Sequence, residues 1–144
     1  MPRWLGVDWG RKRVGIALSD ELGLIAHPRD TLEPTSLDDL VNSIATIVQS
    51  DPVEGVVLGL PQNMDGSEGP SAFTVRQLAE RLQAQGLVVH FWDERLSSRE
   101  ADDKLRSVSP KKHRPKSDTD RAAAALVLQG FLTHRRNFPT QENF

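Results

Sequence analysis

Cysteine is absent from this 144-residue chain. That excludes disulfides and zinc-thiolate centres, so any metal must be held by oxygen or histidine. Long apolar runs are absent too. Nothing approaches the roughly 20 residues that span a bilayer, and the start, Met1-Pro2-Arg3-Trp4, lacks the apolar stretch of a signal peptide. Both absences argue for the cytoplasm and against a membrane. There is no internal repeat, no low-complexity tract, no linker rich in proline and glycine, and no nucleophile-elbow motif pointing to covalent catalysis. The expectation is one domain over residues 1–137, followed by a flexible tail at 138–144. A chain of this size buries roughly 68–70% of the surface exposed when unfolded, enough for one core without staples.

Net charge is also small, −2, but it is unevenly spread. Residues 1–94 hold seven Lys and Arg against fourteen Asp and Glu, whereas residues 95–144 hold eleven against six. An acidic body can gather cations, and a basic final third can attract a polyanion. A solvated surface with chance asymmetry explains the same numbers.

Hydrophobic periodicity orders the chain. Residues 4–9 and 13–19 read as two strands of a hairpin turning at Gly10-Arg11-Lys12. In the second, Val14, Ile16 and Leu18 share one face while Gly15, Ala17 and Ser19 leave the other nearly bare. A third strand is expected over Leu24–His27, ending before Pro28. Ser36 reads as the N-cap of a helix carrying Leu37, Leu40, Val41, Ile44, Ile47 and Val48 on one face. Residues 55–60 form an apolar run without alternation, as in a strand covered on both faces. A polar loop follows from Pro61 to Gly69. Pro70 opens a second helix with a stripe of Val75, Leu78, Ala79 and Leu82, and Gly86 stands where a terminating glycine belongs. Residues 87–92 read as another buried strand. Ser97 with Glu100 is a capping box for a helix to about Arg106. Residues 107–117 form a basic loop, and a last helix runs from about Asp118 to Arg136, its apolar first half buried. The pattern is α/β with a mixed sheet.

Three acids stand at the ends of elements expected to be buried: Asp8 in the first strand, Glu94 after the strand ending at Trp92, and Asp120 at the start of the last helix. Each has a structural explanation. Asp8 can close a turn near Gly10, Glu94 can pair with Arg95, and Asp120 can serve as the N3 acid of a capping box on Ser117. Together they suggest carboxylates converging on hard ions such as Mg²⁺ or Mn²⁺. Two such ions roughly 4 Å apart clamp the attacking and leaving oxygens of a phosphodiester. On that reading Gly6, Gly15 and Ala17 leave room for a substrate backbone. The basic loop, with Lys111, Lys112, Arg114 and Lys116, meets the phosphates. His27, His90 and His134 have no ligand partner at useful spacing, and His113 lies in the basic loop. Trp4, Trp9 and Trp92 are expected to pack in the core.

The blocks Val7-Asp8-Trp9-Gly10 with Arg13-Val14-Gly15-Ile16-Ala17, Gly59-Leu60-Pro61 with Asn63-Met64-Asp65-Gly66-Ser67, Asp93-Glu94-Arg95-Leu96-Ser97, and Asp120 with Ala122-Ala123 and Leu128-Gln129 resemble, in order, those of the YqgF/RuvX family. They span residues 4–132. The resemblance implies a ribonuclease H-like fold with a mixed five-stranded sheet and helices on both faces, close to the RuvC-type Holliday junction resolvases. It further implies a cytoplasmic nuclease for the 5′ end of pre-16S ribosomal RNA, with a junction resolvase as the alternative. By position it makes Asp8, Glu94 and Asp120 the catalytic, metal-holding acids of a two-metal Mg²⁺ or Mn²⁺ site, and it puts Arg13 and Arg95 near phosphate. Asp120 is preferred to Asp118 because its spacing to Ala122 and Leu128-Gln129 fits the block. Implied partners are nucleic acid, as pre-rRNA or a branched substrate, and ribosome-assembly factors, around a monomer or homodimer. Two other readings compete. One is an actin- or hexokinase-like phosphate site, which needs two such domains. The other is a non-catalytic module that binds structured nucleic acid.

Overall fold

The computed structural model describes residues 3–61, 65–93 and 116–137. In chain order the elements are β1 (Trp4–Asp8), β2 (Val14–Ser19), β3 (Ala26–Leu32), α1 (Leu37–Ser50), β4 (Gly55–Leu60), α2 (Pro70–Ala84), β5 (Val89–Asp93) and α3 (Lys116–Asn137). The strands form one mixed sheet in the order β3-β2-β1-β4-β5. β1, β2 and β3 pair antiparallel, whereas β1–β4 and β4–β5 pair parallel. The expected capping-box helix from Ser97, the basic loop up to Pro115 and the tail at 138–144 lie outside the described residues.

Side-chain alternation divides the molecule into three layers. Leu5 and Val7 of β1, Val14 and Ile16 of β2, and Val56, Leu58 and Leu60 of β4 face α1 and α2, forming the larger core with Leu40, Ile44, Val75, Leu78 and Leu82. The opposite face carries Trp4, Ala17 and Val57, packed beneath Ala124, Val127, Leu128 and Leu132 of α3. Every residue of β4 is buried, as its unbroken apolar run predicts for a central parallel strand.

Local chemistry accounts for the helix ends. Ser36 Oγ accepts from the Asp39 N–H at 3.0 Å, and Asp38 and Asp39 place negative charge in the first turn of α1. Gly69 and Pro70 start α2. It stops at Gly86, whose φ of +88° suits glycine, with the Leu87 N–H returning to Leu82 O at 3.2 Å.

Four expectations need correction. β3 begins at Ala26 and runs through Pro28 to Leu32. It is an edge strand with a bulge opposite Ile16/Ala17, where a proline lacking its N–H is tolerated. β5 is the other edge and is only half-buried, with Phe91 39% exposed. α3 starts at Lys116, so Ser117 lies inside it and cannot be its N-cap. Its burial follows one stripe, Ala124, Val127, Leu128 and Leu132, instead of filling the whole first half, because it covers one face of a sheet.

Polar staples hold the end of the sheet opposite the Gly10 turn. The buried Ser19 hydroxyl accepts from the Trp4 N–H at 2.8 Å and donates to Asp20 O at 3.0 Å. Asp20 Oδ1 accepts from the Leu24 and Ile25 N–H groups at 2.7 and 3.2 Å, shaping the β2–β3 turn. These backbone donors, that of Leu24 foremost, hold the Asp20 carboxyl below the usual carboxylate range. A carboxyl depressed in the folded state stabilises above its unfolded pKa of about 3.9, and that contribution fades as pH falls through the folded value. Asp20→Asn should therefore flatten the acid side of the stability curve below about pH 4. Denaturant midpoints measured from pH 2 to 7 check this, and an acid limb unchanged in the variant would count against it.

Candidate active site

The β1–β4 register sets Val7 beside Leu58, and the β4–β5 register sets Gly59 beside Trp92 and Leu60 beside Asp93. The carboxyl ends of the three parallel strands thus finish together at one edge, where loops of α/β sheets gather ligands. Asp8, the last residue of β1, stands at this edge, half-buried. It belongs to the α3 face by alternation with Trp4 and Gly6.

Asp8 pairs across the hairpin with Gly15. A Cβ built on Gly15 would lie 2.0 Å from the Asp120 carbonyl oxygen and 2.5 Å from its carbonyl carbon. The backbone of α3 at Asp120 therefore rests directly on Gly15, one strand away from Asp8. A Cβ on Gly6 would meet Leu128 Cβ at 2.7 Å and Ala124 O at 3.1 Å. Ala17 is fully buried in the same layer. The bare face of the hairpin is thus a seat for α3, and the expectation that it admits a substrate backbone is overturned: the helix fills that space. The run of alanines at 122–125 was the sequence signal that small residues there meet a helix.

Arg13 directly precedes β2 and reaches the same place. Its Nε–H donates to Asp120 Oδ2 at 2.9 Å, with the two side chains 26% and 31% exposed. The structure thus pairs Arg13 with Asp120 and seats the Asp120 backbone on Gly15, the cross-strand partner of Asp8. Glu94 follows Asp93 in sequence but lies outside the described residues, as do Arg95, Lys111, Lys112 and Arg114; Lys116 is the first residue of α3. In the loop after β4, Asp65 Oδ1 accepts from the Ser67 N–H and hydroxyl at 2.9 and 2.6 Å, and Gly66 turns with φ +88°.

The tryptophans pack as expected. Trp4 is buried against His90 and Phe131, with Arg135 stacked 4.8 Å from its ring centre. Trp92 lies against Gly130, where a Cβ would approach its ring to 2.9 Å. His90 and His134 serve as ring neighbours of these two tryptophans. Sequence reasoning placed Gln129 in a family block but gave it no role. Its Oε1 accepts from the Ala26 N–H at 2.8 Å and its Nε2 donates to Leu24 O at 3.0 Å, tying α3 to the start of β3.

A donor set of carboxylates without thiolate suits Mg²⁺ or Mn²⁺. Among the described residues no group of three or more such ligands converges, so Asp8 and Asp120 would need a third. The Asp120 carboxylate is already paired with the Arg13 guanidinium.

Solved structures share this architecture. RuvC of T. thermophilus in complex with a Holliday junction substrate superposes with a TM-score of 0.59 over 94% of this chain and 96% of that one, at 12% identity. Fowlpox virus resolvase, bound to Holliday junction DNA, gives 0.56 over 91% and 97%, at 13% identity. Among the described residues no helix is long and apolar enough to cross a membrane. Curated relatives are much nearer in sequence. A Myxococcus xanthus protein named "Putative pre-16S rRNA nuclease" is 43% identical over 135 residues, covering 93% of this chain and 89% of its own. One of the same name from Anaeromyxobacter sp. (strain K) is 44% identical, covering 92% and 98%. The fold is therefore of the ribonuclease H-like class, shared with the junction resolvases, and the relatives nearer in sequence carry the name of a nuclease. More particularly, residues 2–134 match the family RuvX, described as Holliday junction resolvase, and the chain belongs to it.

Because the Gly15 contact is backbone on backbone, Gly15→Ala should push α3 outward at Asp120. A loss of about 1–3 kcal/mol is expected, the usual cost of overpacking a tight contact. Urea denaturation measures it, and a variant as stable as the parent would show that the helix is not seated as described.

Proposed function

We propose that this protein is a divalent-metal-dependent nuclease that matures the 5′ end of pre-16S ribosomal RNA, working as a single domain in the cytoplasm alongside ribosome-assembly factors. The observation that carries the reading is that the Asp120 backbone rests on Gly15, the cross-strand partner of Asp8, at the same edge of the sheet where β5 ends before Glu94. Asp8, Glu94 and Asp120 would hold the divalent ions in this proposal. Bound there, Mg²⁺ or Mn²⁺ ions would activate a water and stabilise the attacking and leaving oxygens of the phosphodiester. The rest falls to the chain itself. The sheet fixes Asp8, the glycine seat fixes Asp120, and Arg13 and Arg95 orient the phosphate by charge-assisted hydrogen bonds. Lys111, Lys112, Arg114 and Lys116 gather the flanking backbone by its charge.

The family's description favours a second reading, cleavage of a branched DNA junction. Incubating the purified protein with precursor ribosomal RNA and, separately, a four-way DNA junction separates the two. Each substrate is tested with Mg²⁺, with Mn²⁺ and with chelator, and product ends are mapped. Metal-dependent cleavage of the RNA alone supports the first reading, and cleavage of the junction alone supports the second. Asp8→Asn should keep the fold and the RNA binding yet lower cleavage by at least the roughly ten- to hundredfold that loss of even an outer-shell partner costs a metal site. Cleavage at the parental rate would sink the catalytic assignment. Replacing Lys111, Lys112 and Arg114 by alanine should weaken RNA binding and reduce the slope of log K against log salt by about 2, at roughly 0.7 per single-strand phosphate contact. An unaltered slope would remove the loop from the interface.

A further inference from the structure

Arg13 reaches Asp120 through the device that seats Asp120 on Gly15. Gly15 and Ala17 share one face of β2, Arg13 directly precedes the strand, and α3 lies across that face. The turn closes tightly before it, since a Cβ on Gly10 would lie 2.6 Å from the Arg13 carbonyl oxygen. The arginine backbone is therefore held at both sides, and its side chain has a short path to the helix. Only Nε–H is engaged, at 2.9 Å from Asp120 Oδ2. Among the described residues the terminal amino groups of the guanidinium have no partner.

Charge decides what this contact is for. Asp8, half-buried at the end of β1, and Asp120, whose backbone rests on Asp8's cross-strand partner Gly15, bring negative charge to one part of the sheet edge, where a cation is favoured. Arg13 supplies one positive charge permanently, since a guanidinium does not lose its proton in proteins. A hard ion and a guanidinium compete for the same carboxylate oxygen, and a freed guanidinium presents a planar fork matched to phosphate.

We propose that Arg13 is the internal counter-cation of the carboxylate site, exchanging Asp120 for a substrate phosphate when a divalent ion takes the Asp120 carboxylate. The proposal rests on the metal-site reading above and adds to it an order of events. Without an ion, the pair fixes the Asp120 side chain and offsets its charge, at the expense of ion affinity. Once the carboxylate is taken, the same guanidinium becomes available to the nucleic acid. Ion and phosphate then favour one another, each raising the affinity for the other by the same factor. Lysine could supply the charge but not an anchored Nε with a remaining fork. Arg13 acts here through Asp120 and the phosphate as a positioning residue.

The test is Mn²⁺ binding to the full chain in the absence of nucleic acid, read as free Mn²⁺ by electron paramagnetic resonance. Arg13→Gln should bind Mn²⁺ about two- to fivefold more tightly than the parent, the scale expected for losing a partly exposed ion pair. Arg11→Gln, in the exposed part of the same turn, removes an equal charge without touching Asp120 and should change affinity less. Arg13→Lys should fall between Gln and the parent, and it stands in should the Gln variant fail to fold. The melting temperature of Arg13→Gln should lie below the parent's with chelator and converge on it at saturating Mn²⁺. Equal tightening by the Arg11 and Arg13 variants, or weaker Mn²⁺ binding in a folded Arg13 variant, overturns the exchange. Asp120→Asn separates the two layers of the argument. If it binds Mn²⁺ as the parent does, the metal-site reading itself fails. If it loses binding while Arg13→Gln gains none, only the exchange fails.

Discussion

The structure depends on a steric constraint: at Gly6 and Gly15 there is no room for a Cβ between the first hairpin and α3. Gly6 and Gly15 let the helix backbone lie on the sheet itself, against Leu128, Ala124 and Asp120. Contacts made by backbone leave less freedom than contacts made by long side chains, because no rotamer can absorb a shift. A residue about 110 positions along the chain is thereby fixed beside the end of the first strand. In the function proposed above that main-chain packing would hold Asp120 in place, and holding reacting groups to within a fraction of an ångström is where much of an enzyme's rate comes from.

Electrostatics builds on that packing. The acidic first two-thirds of the chain supplies Asp8 at the sheet edge, and the described part of the basic remainder supplies α3, whose Asp120 faces back toward Arg13. Charges of opposite sign are thus interleaved at the site, and the near-neutral total is the sum of two local excesses. Elsewhere ion pairs such as Arg3–Glu21 and Arg29–Asp51 lie at the surface, where screening makes each worth little. Arg13–Asp120 differs in lying where α3 meets the hairpin.

Elements governed by local chemistry were legible in the sequence. The hairpin, the Ser36 cap, the proline start and glycine stop of α2, and the buried β4 all follow from residues within a few positions of one another. Legibility failed where a distant partner decides. Pro28 reads as a strand stop until β3 proves to be an edge, and β5 reads as buried until it proves to be one too. The bare face of β2 says only that space exists, and tertiary packing decides that a helix occupies it. Asp8 and Asp120 could be named from spacing and family resemblance, but their placement at one sheet edge depends on the Asp8–Gly15 register and the Gly15–Asp120 contact. Gln129 carried no local signal, because its partners are backbone groups about 105 residues away.

The Gln129 amide has a consequence beyond tying helix to strand. By accepting from the Ala26 N–H and donating to Leu24 O, it does for the chain what a peptide group of a neighbouring strand would do. β3 is a sheet edge, and open edges invite strands from other molecules and so seed aggregation. Here the entry to that edge is already occupied by a side-chain mimic of a strand, and two residues further on Pro28 offers no N–H to pair. A helix that positions a carboxylate at one end of the sheet thus also guards the sheet's outer edge against its own kind.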